Sequence, residues 1–186
     1  MPAPYTVAVL VGSLRKASFS RKMALAADAL APDTLTCAIV EIGDLALYDE
    51  DAEREGPPAS WTTFREAMKA AQAVLFVTPE YNRSVPGVLK NAIDVGSRPY
   101  GASVWSGKPA AIVSNSPGAI GGFGANHHLR QSLVFLDMPP LQQPEAYIGH
   151  VNTLFDDAGA ITNDGTRTFL HDFLGKFATL VKRHGA

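Results

Sequence analysis

The chain has 186 residues, 46% apolar and 18% charged, with a formal net charge of -2. That size and balance fit one globular domain over residues 1–186 and exclude a disordered polymer; without a basic excess, nucleic acid is not an expected partner. A single cysteine excludes an intrachain disulfide framework. Met1-Pro2-Ala3-Pro4-Tyr5 has no basic stretch leading into an apolar segment, and no apolar run approaches the ~20 residues of a membrane span, so a cytoplasmic protein without membrane insertion is expected.

Residues 6–11 (TVAVLV) are a short apolar run rich in β-branched side chains, which reads as a strand buried on both faces. Residues 20–31 place Met23, Ala24, Ala27 and Leu30 at helical spacing, and Pro32 ends that helix. A second strand is expected over 34–40, followed by an acidic loop over 45–56 that is too polar for a core and is read as a solvated cover at a site mouth. Ser60 is placed to cap a helix reaching Gln72, with Trp61, Phe64, Ala67, Met68 and Ala71 on one face. Residues 73–78 (AVLFVT) read as a third buried strand, 86–95 as a helix, 109–115 as a strand, 121–138 as mostly helical, 146–148 as a short strand and 165–184 as the last helix. Strands alternating with helices imply an α/β, three-layer sandwich with a parallel sheet. For five strands, a flavodoxin-like order 2-1-3-4-5 is expected, with ligands outside the carboxyl ends of the strands. The loops to inspect are therefore 12–19, 79–85 and 114–124.

The first of these, Gly12-Ser13-Leu14-Arg15-Lys16-Ala17-Ser18-Phe19-Ser20, joins a buried strand to a helix N-terminus. Free N–H groups and the helix dipole favour an anion there. Ser13, Ser18 and Ser20 add hydroxyls, and Arg15 adds a fork suited to phosphate. A polar loop with a serine cap is the plainer alternative. No G-x-x-x-x-G-K-[ST] or strand-linked G-x-G-x-x-G occurs, so the cradle suits a mononucleotide such as FMN rather than a nucleoside triphosphate or a dinucleotide. In the second loop, Pro79, Glu80, Tyr81, Asn82 and Arg83 offer a stiff aromatic wall and hydrogen-bonding groups for the polar edge of a flat ring. A rigid turn ahead of a helix is the alternative. The glycine-rich third loop, which contains Ser116, permits close backbone approach to a ligand or simple flexibility.

Gly12-Ser13-Leu14-Arg15 with Ser18, then Pro79-Glu80-Tyr81-Asn82 and the segment from Ser84 to Asp94 (SVPGVLKNAID), resemble the NADPH-dependent FMN reductases, a family that includes bacterial quinone, chromate and azo-dye reductases. The likeness extends through Gly121-Gly122 and His128-Leu129-Arg130-Gln131 to Pro144-Glu145. It implies noncovalent FMN, with Ser13, Arg15, Ser18 and Ser20 on the phosphate, Glu80, Tyr81, Asn82 and Arg83 bordering the ring, and Ser116 near its other edge. It also implies ping-pong chemistry: NAD(P)H passes a hydride to the flavin and leaves, and a small-molecule acceptor such as a quinone takes its place. No catalytic side chain is required, because the cofactor carries the reaction. A homodimer or homotetramer is implied as well. The helix over 121–138, with Phe123, Leu129, Leu133, Val134 and Leu136, or the helix over 86–95, is the expected contact. A flavodoxin-type electron carrier and a non-catalytic FMN-binding regulator are the alternatives.

This sequence departs from its relatives in places. Ser20 replaces a common asparagine, and Val95 a common tryptophan. Gly124 and His127 stand where some tetrameric relatives use arginine and tyrosine. Arg83 brings a cation to the expected ring edge, where it would stack or meet a phosphate of the reductant, unless it is only a solvated cation. Other signals are set aside. Ser13-x-x-Lys16 lacks the companion β-lactamase motifs. Asn82-Arg83-Ser84 matches a glycosylation sequon without a secretory leader. His127 and His128 diverge on a helix and do not suit one metal. Cys37 reads as inert core.

Overall fold

The computed structural model describes residues 3–184; Met1 and Pro2 of the N-terminal segment lie outside them. Five strands, β1 (Tyr5–Val11), β2 (Leu35–Ile39), β3 (Ala73–Thr78), β4 (Ala110–Asn115) and β5 (Ala146–Ile148), form one parallel sheet in the order β2-β1-β3-β4-β5. The helices are α1 (Phe19–Leu30), α2 (Glu50–Glu55), α3 (Ala59–Ala70), α4 (Gly87–Gly96), α5 (Phe123–Phe135) and α6 (Asp164–His184). The flavodoxin-like order expected from the alternation of strands and helices is the one present.

Alternation along β1 divides the interior. Val7, Val9 and Val11 face one side and pack with Met23 and Ala27 of α1 and Phe173 and Phe177 of α6. Ala8 and Leu10 face the other side, toward Trp61, Phe64 and Met68 of α3, Leu89 of α4 and Leu129 and Leu133 of α5. β3 and β4 are buried along their full length, which explains their uninterrupted apolar character. The connections from β1 run to β2 on one side and onward to β3 on the other. A crevice therefore opens above the carboxyl end of β1.

The segment 45–56 is not all loop. It contains α2, capped by Asp49, whose Oδ1 accepts from Asp51 N at 2.9 Å. An aspartate cap, an acidic first turn and the Arg54–Glu50 pair at 2.8 Å favour a helix that apolar periodicity does not reveal. Inward, Ala52 packs against the core and Glu53 accepts from the buried Arg65, whose Nη1 lies 3.0 Å from Glu53 Oε1 and whose Nε donates to Val95 O at 2.9 Å. Asn91 Nδ2 donates to Leu45 O (3.1 Å) and Ala46 O (2.9 Å), and Trp61 Nε1 donates to Ala46 O (3.0 Å). These bonds pin the segment against α3 and α4 rather than leaving it as a free cover. Ser60 also differs from its expected capping role. α3 begins at Ala59 behind Pro58, and Ser60 lies inside it. α5 is shorter than 121–138 because left-handed Gly121 and Gly122 (φ 62° and 78°) precede it and Asp137 (φ 55°) follows it.

Tight packing at the end of α4 is testable. A Cβ on Gly96 would lie 2.5 Å from Cζ2 of Trp105, a fully buried ring whose Nε1 donates to Ile93 O at 3.0 Å. Gly96→Ala is expected to destabilise the fold by about 1–3 kcal/mol in urea unfolding, the usual cost of overpacking a core. Unchanged stability would show that the ring shifts freely.

Candidate active site

The β1–α1 loop starts at a point of very close contact. Gly12 N donates to Val77 O at 2.9 Å, and a Cβ on Gly12 would meet Thr78 Oγ1 at 2.6 Å. Glycine thus lets the loops after β1 and β3 leave the sheet side by side. Ser18 caps α1: its Oγ accepts from Arg21 N at 3.2 Å, and its own N–H donates to Arg15 O at 3.1 Å. Among the described residues, the N–H groups of Ser13, Leu14, Arg15, Lys16, Ala17, Phe19 and Ser20 have no acceptor in the chain. With the positive end of α1 behind them, they form a concave row of donors for an anion.

Asn115, at the end of β4, joins three elements. Its Oδ1 accepts from Ser20 Oγ at 3.2 Å, and its Nδ2 reaches Thr78 O at 3.4 Å. Ser20 and Asn115 are each 1% exposed, so the Ser20 hydroxyl is already engaged in locking α1 to the ends of β3 and β4.

The loop after β3 reverses within two residues. Tyr81 N donates to Ser84 O (3.1 Å) and Ser84 N to Tyr81 O (3.0 Å), while Asn82 and Arg83 are both left-handed, with φ 51° and 63°. Glu80 Oε2 accepts from Ala125 N at 3.1 Å, placing a carboxylate at the positive end of α5. Gly124 allows this contact, because a Cβ there would lie 2.7 Å from Arg83 O and 2.9 Å from Glu80 Oε2. The absence of a long side chain at 124 therefore has a local steric cause.

These loops enclose a cavity of ≈130 Å³ lined by Ser13, Arg15, Ser18, Phe19, Ser20, Pro79, Glu80, Tyr81 and Ser116, together with Asn115 and Pro117. Leu14 and Lys16 line a neighbouring cavity beyond the loop, and exposed Ala17 lines neither. Asn82 and Arg83 occupy the apex of the turn, outside the cavity wall. The Arg83 side chain is 75% exposed, with Nη1 3.4 Å from Glu80 Oε1. Asn115 and Pro117 carried little sequence signal of a site role: Asn115 closes an apolar run that reads as strand, and Pro117 belongs to a loop notable mainly for glycine. Donor N–H groups, serine hydroxyls and a guanidinium at one end fit a phosphate monoester. Tyr81, Pro79 and Pro117 provide flat walls toward the other end, as a mononucleotide with a planar ring requires. Among the described residues, no cluster of histidine, cysteine or carboxylate groups fits a metal ion, and no helix is long and apolar enough to cross a membrane.

Residues 5–153 match the family model for NADPH-dependent FMN reductase. The chain belongs to that family. It is 66% identical over 186 residues, all of both chains, to a quinone reductase of Pseudomonas putida. It is 46% identical over 176 residues to a 2-hydroxy-1,4-benzoquinone reductase of Burkholderia sp., covering 95% of this chain and 96% of the relative. The solved structure of FerB, a flavoenzyme NAD(P)H:(acceptor) oxidoreductase from Paracoccus denitrificans, superposes with a TM-score of 0.91 at 39% identity over 97% of this chain and 98% of FerB. The Pseudomonas aeruginosa flavodoxin shares the fold at 17% identity and a TM-score of 0.59, covering 95% of this chain and 99% of the flavodoxin. Membership makes the chain an oxidoreductase with FMN and NAD(P)H as its cofactors.

Beside the phosphate loop, Arg21 pairs with Glu41, with Nη1 3.2 Å from Oε2. Its hydrogen bond holds the Glu41 carboxyl below the usual carboxylate range, against a smaller opposing effect of burial. With the folded value depressed, the stabilisation is complete above the unfolded carboxylate range and is lost as pH falls through the folded value. Glu41→Gln should therefore lower stability at pH 7 by no more than about 1 kcal/mol, the range of exposed pairs, and have no effect at about pH 2. Equal losses in urea unfolding at both pH values would exclude the charge as the cause.

Proposed function

We propose that the protein is a single-domain, cytoplasmic, FMN-dependent NAD(P)H:quinone oxidoreductase. The observation that carries this reading is the convergence of three strand-end loops on one cavity, with an anion cradle at one end and flat walls at the other. The chemistry FMN supplies when bound is hydride acceptance from NAD(P)H and two-electron reduction of an acceptor.

The chain's residues bind and orient. Ser13, Ser18, Arg15 and the N–H groups from 13 to 20 hold the phosphate, and Ser20, tied to Asn115, fixes the first turn of α1 around it. Pro79, Tyr81 and Ser116 border the ring. Glu80 positions that border through its bond to the α5 N-terminus, and Asn82 and Arg83 project from the rim, where an incoming substrate passes. Reductant and quinone take turns at the same flavin face, the reductant departing before the quinone enters, in ping-pong order.

The chain is also proposed to act as a homo-oligomer through α5. Leu129, Leu133 and Leu136 are buried in the chain's own core, so they do not supply the contact. Phe123 (46% exposed), Val134 (74%) and Phe135 (81%) remain open, and Phe123 continues into an aromatic group with His127 and Tyr147, at ring separations of 4.2 and 5.3 Å.

Under anaerobic conditions, NADPH should bleach the flavin absorbance of the FMN-loaded protein, and a benzoquinone should restore it. Flavin that NADPH leaves oxidised would overturn the enzyme reading. Arg15→Ala removes a charge-assisted contact of about 1.5–3 kcal/mol, so FMN affinity should fall by about one to two decades while riboflavin affinity holds. Equal losses for both ligands would remove Arg15 from the phosphate. Sedimentation equilibrium should give a dimer or tetramer at micromolar concentration, shifted toward monomer by Phe135→Lys. A monomeric wild type would refute the α5 contact.

A further inference from the structure

A second cavity, of ≈330 Å³, lies on the opposite side of the β1–α1 loop from the flavin cradle. The first cavity is walled by the ends of β3 and β4, whereas the second is walled by Val11 of β1 and by Val40, Glu41 and Ile42, which follow β2. Ser13 and Arg15 belong to both, so the loop forms the partition between them.

The lining has two characters. Nearly buried Val11 and Ile42, with half-buried Val40 and exposed Leu14, give the cavity its apolar lining. Arg15, Lys16 and Arg21 form a cationic rim in which Glu41 is the one carboxylate. A single FMN phosphate, held on the β3 side, leaves Lys16 and Arg21 without a role, because neither lines the first cavity. Arg21 is held only by Glu41, in a pair whose side chains are 39% and 64% exposed. Such exposed pairs contribute little and re-form readily around a stronger anion. The volume is at the lower end of small-molecule pockets, enough for half of a dinucleotide. Arg15 gives the two cavities a shared cation, so a dinucleotide whose nicotinamide end meets the flavin held in the first cavity keeps cationic contacts as it passes to the second.

We infer that this second cavity docks the 2′-phosphoadenosine end of NADPH, with the base against the apolar lining, Arg21 and Lys16 on the 2′-phosphate, and Glu41 tempering the preference for the phosphorylated dinucleotide. The inference rests on the reading that NAD(P)H is the reductant. A carboxylate near the end of β2 suits a free ribose hydroxyl, and a nearby arginine suits a 2′-phosphate. The Arg21–Glu41 pair presents both, so its balance sets the choice between NADH and NADPH.

Calorimetric titration of the FMN-loaded protein with 2′,5′-ADP, 5′-AMP and inorganic phosphate tests this. 2′,5′-ADP should bind about tenfold more tightly than 5′-AMP, as one charge-assisted contact allows, and the gap should narrow at high salt. Arg21→Gln should erase most of the gap while leaving 5′-AMP within about twofold, and Glu41→Gln should widen it. The inference is overturned if the two nucleotides bind alike, if Arg21→Gln weakens both equally, or if Glu41→Gln leaves the gap unchanged. It is also overturned if inorganic phosphate binds as tightly as 2′,5′-ADP, which would make the cavity a phosphate site without nucleotide recognition. Flavin bleaching by NADPH and NADH, followed in parallel, separates the two levels. Bleaching without the calorimetric contrast refutes this inference alone, whereas flavin that neither nucleotide reduces refutes the underlying reading.

Discussion

Gly12 has room for a hydrogen and none for a methyl, and the active-site architecture follows from that. With a Cβ 2.6 Å from Thr78 Oγ1 forbidden, the loops after β1 and β3 leave the sheet almost in contact. The row of free N–H donors and the Pro79–Tyr81 wall then line one cavity instead of separate clefts. Asn115 completes the joint from the third side by accepting from Ser20 and reaching Thr78 O. Three chain segments far apart in sequence are thus fixed relative to one another by backbone proximity and one buried amide. A cavity assembled this way is organised before any ligand enters, which lowers the ordering cost of binding.

A second constraint acts at the rim. The turn from Tyr81 to Ser84 presses on α5 because residue 124 is glycine, and the Glu80 carboxylate meets the positive end of that helix. The same helix exposes Phe123, Val134 and Phe135. The loop that borders the site is therefore tied to the helix that carries the apolar outer surface. Ser84 Oγ, 2.9 Å from Nδ1 of His128 on α5, adds a further tie between loop and helix.

Much of this was legible in the sequence, for reasons specific to each element. β1, β3 and β4 are buried on both faces, so their apolar runs are unbroken and short, and their order followed from alternation with helices. The placing of Ser13, Arg15, Ser18 and Ser20 together at a strand end was legible because serine, arginine and the end of an apolar run coincide over a few residues. α2 was not legible, since its stability comes from an Asp49 cap, a surface ion pair, the Glu53–Arg65 contact and one small apolar residue, Ala52, which together leave no apolar period. The outward side of α5 was also hidden. Leucines and aromatics lie all around that helix, and only the fold distinguishes buried Leu129 from exposed Phe135. Asn115 was missed because a polar residue at the last position of a strand reads as an ending, whereas its function depends on two partners that sequence does not bring near.

The interior packs in two halves, which share Val11 and Ile42 with the wall of the second cavity. One is centred on Met23, Phe173 and Phe177 and the other on Trp61, Trp105 and Leu129, and among the described residues every buried side-chain donor or acceptor has a partner in the chain. No buried polar side chain of the interior therefore depends on a ligand for its partner, and the groups left for one are the N–H donors of the β1–α1 loop.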